Sequence, residues 1–421
     1  MNTKELSLKQ NILWNSGGSI FYQMMQYLIS YSVARFLGLA SGGIFLLCLS
    51  VGTNVLSFSL YGVRPYQVSD VASEFSDRVY IVARIVSSTL AILGCVFYLL
   101  FSISSVYTML CVLAYAMFKV AEAYIDVYHG IIQRSMRMDI VGKSLLLRGT
   151  ISSALFFLVV WLTKSLLWSI VAMSLATFIL AFIYDHRRVK LFCDENKSFA
   201  RQDVLRLLRI CFPLAICGFL ATFIASFPRI LLHQMMGETL AGIYLAVVIP
   251  AAVIQALATY VFAPMLTVFA KHMNQRDFAS YYKLFMKIML FIAALSIVAI
   301  AGGALLAEWG LVLLFGEKLR EYAYLLVPVL LISSLTAVSW FLGSLLTVVR
   351  EIRGFIVSSI LAVAVSLAGG QYSIRTFGLN GASFILIVAL VVQIVSMSIF
   401  MINKNNKLKR ELTSGTTTAE P

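Results

Sequence analysis

The chain has 421 residues, 60% of them hydrophobic and 12% charged, with a mean hydropathy of +0.90 and a formal net charge of +14. Soluble domains carry about 25% charged residues, so a water-soluble fold of this composition would leave large apolar patches in solvent. The composition describes a polytopic membrane protein, and recurrent apolar runs of about 20 residues with little strand-like alternation indicate helices rather than a barrel.

The N-terminus, "MNTKELSLKQ", lacks the apolar core and cleavage site of a signal peptide, so the first helix is expected to stay as an anchor. Allowing about 20 residues per span predicts twelve helices. They lie near residues 12–36, 42–63, 80–101, 106–129, 146–163, 167–185, 208–234, 242–263, 284–307, 323–348, 354–374 and 380–402. The first is the most polar, with Asn15, Ser16, Gln23 and Gln26, and is not expected to face only lipid. The expected segments are a cytoplasmic N-terminus (1–11), an N-lobe of helices 1–6 (12–185), a cytoplasmic linker (186–207), a C-lobe of helices 7–12 (208–402) and a disordered cytoplasmic tail (403–421).

Basic residues orient the bundle. With the N-terminus inside, the cytoplasmic segments take almost all of them, including Arg64, Arg78, Arg84, Arg134, Arg137, Lys143, Arg148 and the dense run from Arg187 to Arg209. The other side holds only Arg35, Lys164, Lys318, Arg320 and Arg375. This asymmetry places both termini in the cytoplasm and accounts for the positive charge without nucleic acid. The six cysteines show no CxxC or zinc spacing, and the four histidines are dispersed.

The stretch "FLGLASGGIFLL" (36–47) matches "MMGETLAGIYLA" (235–246): Gly38 and Gly43 align with Gly237 and Gly242 at an offset of 199. The same offset pairs Tyr61 with Tyr260, Pro65 with Pro264 and Arg84 with Lys283. Each half then has six spans, so the lobes form a parallel repeat, the kind of duplication that encloses a cavity open alternately to either side. Pro213 and Pro228 in helix 7 are expected to kink it.

Two places carry charge inside spans. In "FKVAEAYIDVYHG" (118–130), Lys119, Glu122 and Asp126 fall within about 60° of one another on helix 4, with Tyr115 on the same stripe. Mid-bilayer charges cost roughly 2.5–3.5 kcal/mol, so the stripe is expected to face the protein interior. It reads either as an ion or proton site, through Glu122 and Asp126, or as a clasp between helices. Arg229 follows Pro228 on helix 7, with His233 one turn on and no acid on its own helix. A lone arginine there suits a phosphate or carboxylate ligand, unless it pairs with Glu122 or Asp126. Lys119, Arg35 and Arg64 are further candidates for binding an anionic head group; Arg35 and Arg64 read equally well as lipid-headgroup contacts. No GxxxxGK(S/T), HExxH or nucleotide-binding GxGxxG occurs, and no catalytic constellation emerges. No cofactor is expected beyond a coupling H+ or Na+, and no metal site.

"LGLASGGIF" followed by "YGVRPYQVSD" (61–70) resembles the first two helices of the bacterial polysaccharide transporters, the O-antigen and capsule flippases of the multidrug/oligosaccharidyl-lipid/polysaccharide superfamily. "EAYIDVYHGIIQRSMRMDIVGKSLLLRG" (122–149), "LFGEKLREYAYLLVPVLLI" (314–332) and "FGLNGAS" (377–383) are similar to further parts of that family, and the likeness runs over about residues 8–402. The resemblance implies an all-α, MATE-like fold, an inverted V of two six-helix lobes in the bacterial inner membrane. It implies transfer of an undecaprenyl-diphosphate-linked oligosaccharide, the head in a cationic cavity and the tail left in the bilayer. It also implies a place beside a polysaccharide polymerase and chain-length machinery. Arg64 and Asp70 match the family pattern; Arg229 and Lys119 are assigned from their depth. The alternatives are a cation-coupled multidrug exporter of the same fold and a non-transporting scaffold of polysaccharide assembly; a membrane enzyme lacks the expected outer loop or Asp-rich motif.

Overall fold

A computed structural model describes residues 7–70, 74–193, 199–262, 265–275 and 277–413. Among these residues the chain is helical and contains no strand. Helix α1 (Leu8–Ser32) opens on a capping box: the Gln10 N–H donates to Ser7 Oγ at 3.3 Å, and the Ser7 N–H donates to Gln10 Oε1 at 3.2 Å. A π-helical turn, Val33–Leu37, ends at Gly38, whose φ of 90° no side-chain-bearing residue adopts readily. Then come α2 (Leu39–Leu60), α3 (Val63–Ser69), α4 (Asp77–Ser102), α5 (Val106–Arg134), α6 (Met138–Thr163) and α7 (Leu166–Leu180), which runs through Ala181–His186 into α8 (Arg187–Val189).

The longest element, α9 (Arg201–Phe262), breaks at Gly237, where φ is 82° and ψ is 177°. The chain continues through α10 (Leu266–Asn274), α11 (Phe278–Phe315), a 3-10 segment (Glu317–Leu325), α12 (Leu326–Val348), α13 (Ile352–Phe377) and α14 (Leu379–Thr413). Ten helical stretches are long and apolar enough to cross a membrane. One of them is α9, which is two helices across its break, and the polar α1 is a further 25-residue helix. The described helices thus accommodate the twelve expected spans.

Contacts divide the chain into two compact units, Met1–Ile249 and Pro250–Pro421. The division falls in the second arm of α9 and not in the 186–207 linker. The reason is that the first arm of α9 packs along α2. Asn54 Nδ2 donates to Ser226 Oγ at 2.6 Å, and the Phe58 and Phe219 rings meet edge to face with centroids 6.2 Å apart. At the far end, a Cβ on Gly43 would collide with the carbonyl of Glu238, and a Cβ on Gly242 with the carbonyl of Leu39. These four residues obey the repeat offset pairwise, and Gly38 and Gly237 share one backbone conformation. The contact is therefore reciprocal between the two aligned segments. Pro264 lies outside the described residues.

Within the first unit, α1 also lies close to α6: a Cβ on Gly18 would sit 2.8 Å from the Gly142 carbonyl oxygen. Outward rows of large apolar side chains, such as Leu90, Leu93, Phe97 and Leu100 on α4, are left exposed, as lipid-facing helices require.

In the second unit, Phe269, Tyr281, Phe341, Leu345 and Met397 form part of a buried core. Gln393 joins three helices there, accepting from Ser339 Oγ at 2.7 Å and donating to Ser359 Oγ at 3.0 Å. The helix α14 runs through 403–413, where a disordered tail was expected. Asn405 Nδ2 donates to Tyr282 OH at 3.3 Å and Lys404 lies 3.9 Å from Glu351, so this polar extension has anchors the composition does not reveal. The rest of that tail, 414–421, lies outside the described residues.

Candidate functional site

Helix α5 turns its charged stripe inward, against α1, α3, α4 and α6. Glycine makes room for it: a Cβ on Gly52 of α2 would lie 2.5 Å from the Tyr115 ring and 3.3 Å from Lys119 Cγ. Lys119 and Glu122 are both buried and pair at 2.6 Å. Tyr22 of α1 donates to the other Glu122 oxygen, which also lies 3.8 Å from Arg148 of α6. The Arg148 guanidinium stacks over the Tyr22 ring at 4.1 Å, and Lys119 Nζ sits 4.9 Å from the Phe118 ring centroid. Burying these ions is tolerable only because each has an opposite charge or ring face beside it.

One turn on, Asp126 accepts from Arg64 of α3 at 2.7 Å and from Arg84 of α4 at 2.9 Å. Arg84 is completely buried, and its other fork donates to the Ser59 carbonyl at 2.7 Å, a group near the C-terminus of α2 left without a helical partner. Arg64 extends the network to Gln133 at 2.9 Å. Beyond it His129 lies 3.3 Å from Asp185 and 3.2 Å from Ser144 Oγ.

Four cations, Arg64, Arg84, Lys119 and Arg148, thus surround two carboxylates. Adding Asp185, which turns to His129, still leaves the cations in excess. The Arg64 and Asp126 side chains are 27% and 19% exposed, so the positive excess is open to water at that end.

At the same end, Asp70 closes the turn after α3. Its carboxylate accepts from the backbone N–H groups of Glu74 at 2.7 Å and Phe75 at 3.2 Å and from Tyr80 OH at 2.8 Å. Partial burial works against the charged form, but these donors prevail and hold the carboxyl below the usual carboxylate range. Glu74 in turn meets Arg206 at 2.5 Å.

Arg229 stands apart from this network. It is half-buried on α9, its Nε has no hydrogen-bond partner, and among the described residues no acid pairs with it. His233, one turn on, is 9% exposed with both ring nitrogens unpartnered. Arg35 is exposed in the π-helical turn after α1, about 20 Å along the helix from Tyr22.

Lys119, Glu122, Asp126 and Arg64 are therefore brought together, and Arg229 and Arg35 occupy two other places. Tyr22, Arg84 and Arg148 were missed as members. The two arginines count with the cytoplasmic segments in the charge tally, although the expected spans 80–101 and 146–163 already contain them; both are buried. Their signal was faint, because each stands near the cytoplasmic end of its expected span, where a basic residue is ordinary.

Residues 8–270 match the model of a family described as polysaccharide biosynthesis protein. No curated protein matches the chain. Among solved structures, an inward-facing multidrug-resistance MATE family transporter of the MOP superfamily superposes with a TM-score of 0.63 at 14% identity, covering 97% of this chain and 100% of that one. A mutant of the Vibrio cholerae MATE transporter VcmN gives 0.64 at 13% identity over 96% and 97%. A MOP superfamily transporter from Pyrococcus furiosus, reported with reversed binding-pocket polarity, gives 0.63 at 12% identity over 95% and 96%.

Proposed function

The chain belongs to the polysaccharide biosynthesis protein family, and on that premise we propose that it moves an undecaprenyl-diphosphate-linked oligosaccharide across the bacterial cytoplasmic membrane by alternating access. Family and fold together describe a multi-pass membrane transporter and not an enzyme. The observation that supports the substrate reading is the excess of cations over carboxylates in the α5 network, with Arg229, which pairs with no acid among the described residues, as a second cationic position. An anionic diphosphate is the ligand such a surplus favours.

Arg229, Lys119, Arg64 and Arg35 are the proposed head-group contacts. Glu122 and Asp126 are the proposed coupling carboxylates. A proton or sodium ion arriving at either one competes with the cations holding it, and so loosens α5 from α1 and α6, or from α3 and α4. The charge asymmetry supports both termini lying in the cytoplasm, and a polymerase with its chain-length machinery is the proposed consumer of the product. A cation-coupled drug exporter would want a carboxylate free to bind a cationic drug; here both acids of the stripe are already held by two cations each.

Leaflet transfer tests the proposal. Purified protein is reconstituted in vesicles with a lipid-diphosphate oligosaccharide, and exposure of the sugar to an external glycosidase is followed. Wild type is expected to transfer, and Arg229→Ala to be slower by at least about tenfold, the scale of losing a charge-assisted hydrogen bond. Transfer untouched by Arg229→Ala removes Arg229 from the site. No transfer by wild type, with or without ion gradients, sinks the flippase reading.

A further inference from the structure

A lateral groove of about 340 Å³ lies between α2, α4 and the first arm of α9. Val51, Val55, Phe58, Leu90, Phe219 and Phe223 make its apolar wall. Phe219, Phe223 and Phe227 stack successively along α9, with ring centroids 5.8 and 5.5 Å apart and interplanar angles of 27°. On the outside the groove is continuous with the lipid-facing row of α4, since its own lining residue Leu90 is half exposed beside exposed Leu93 and Phe97.

One side of the groove is not apolar. Asn54 lines it, spends its amide N–H on Ser226, and leaves Oδ1 buried without a partner. At 100° per residue, Phe219, Phe223, Ser226, Ile230 and His233 of α9 fall on one stripe within about 80°. His233, one turn beyond Ile230 on that stripe, is not itself a lining residue; it is more than nine-tenths buried, with two idle nitrogens. Arg229, with its idle Nε, precedes Ile230, which lines the groove, and stands about 100° from it round the helix. A purely hydrocarbon occupant gives these groups nothing, and burying them unsatisfied is costly. An amphiphile gives them a phosphate for Arg229 and His233 and a hydroxyl for Asn54 Oδ1.

We propose that this groove holds the first part of the hydrocarbon tail of the transported lipid, with the head-proximal end at Asn54, His233 and Arg229. The inference rests on the lipid-linked substrate assigned above and deepens it: the tail is gripped by the protein at its head-proximal end and not left wholly in the bilayer.

Gly94 supplies the test. It lines the groove, and a Cβ there meets nothing within 4 Å, so a side chain has room to start from this position into the groove. The full-length protein in vesicles is irradiated with a polyprenyl diphosphate carrying a photoreactive group near the head end of its tail. Adducts are expected on the peptides spanning residues 90–98 and 219–230, competed by unlabelled polyprenyl diphosphate and not by excess phospholipid. Gly94→Leu is expected to cut the adduct about tenfold, from the methylenes it displaces, while Gly94→Ala labels like wild type. In the transfer assay, Gly94→Leu is expected to slow a long-tailed substrate and spare one with a tail too short to fill the groove. Adducts elsewhere, competition by phospholipid, or Gly94→Leu labelling at the wild-type level each overturn the proposal. So does Gly94→Leu slowing both substrates equally, since that marks a structural role. Labelling is independent of transport, so a wild type that labels as expected but transfers nothing sinks the flippase reading and leaves the groove standing.

Discussion

Asp126 faces two arginines, and Arg84 on one side of it has no contact with water. Replacing Asp126 by alanine removes the counter-charge and leaves a buried guanidinium behind, a loss of about 3 kcal/mol or more. The measurement is the melting temperature of the purified protein: Asp126→Ala is expected to melt well below wild type, and the double variant Asp126→Leu with Arg84→Met to recover most of the loss. A single variant that melts like wild type would mean water or another acid reaches Arg84. Asp70 makes a different prediction, because it titrates outside the membrane. Its lowered carboxyl contributes stability that is fully present above its ordinary value of 3.8 and is lost as pH falls through the folded value below that. The Glu74 and Phe75 amides it holds are therefore expected to lose protection, relative to their intrinsic exchange rates, as pH falls below about 3.8, and Asp70→Asn to show weaker protection already at neutral pH. Equal protection in wild type and Asp70→Asn at neutral pH would rule this out. These residues also show what a sequence reveals. Lys119, Glu122 and Asp126 were legible because a charge in an apolar run is conspicuous. Their partners Tyr22, Arg84 and Arg148 were not, because each is unremarkable in its own segment and becomes a partner only when α1, α4 and α6 pack on α5.

The meeting of α2 and α9 is an interaction of whole helices, carried by the absence of two side chains. At Gly43 and Gly242 an added Cβ meets a backbone carbonyl, which has no rotamer to escape into. Gly43→Ala and Gly242→Ala are each expected to force the helices apart and to destabilise the protein by about 1–3 kcal/mol. Both collide at one seam, so once the helices have parted for the first methyl the second finds room. The double variant should then lose clearly less than the sum of the two singles. Additive losses in thermal unfolding would show that the glycines serve separate contacts. The pairing of Gly38 with Gly237 and of Gly43 with Gly242 was visible as a sequence repeat, because glycine marks a backbone need and not a surface preference. That the two copies touch one another was not visible, since a repeat fixes equivalence and says nothing of contact.

For the whole molecule, charge placement and helix count make a topology that labelling can check. In a cysteine-free background, single cysteines at the exposed positions Lys164, Lys318 and Arg375 are expected to react with an impermeant maleimide on intact cells. Those at Arg187, Arg350 and Arg353 are expected to react only after permeabilisation. Mixed labelling within either set would break the twelve-span order or the inward placement of the termini. The same scale holds the largest departure from expectation, the division of contacts within α9 and not at the 186–207 linker. Hydropathy assigns α9 to the second half of a duplication, and its first arm spends its packing surface on the first half.

The sequence by itself determined the solvent, the helical class, the spans, the repeat and the positions that carry charge inside them. Each of these follows from local composition and spacing, because a bilayer demands about 20 apolar residues per crossing and penalises every exception. Only the tertiary structure decided which charges neutralise which, where a positive surplus remains, that Arg229 Nε and both His233 ring nitrogens have no hydrogen-bond partner among the described residues, and that an apolar groove runs along the same arm of α9. Ion pairing and cavity shape depend on side chains meeting from distant segments, and that distance in sequence carries no local mark.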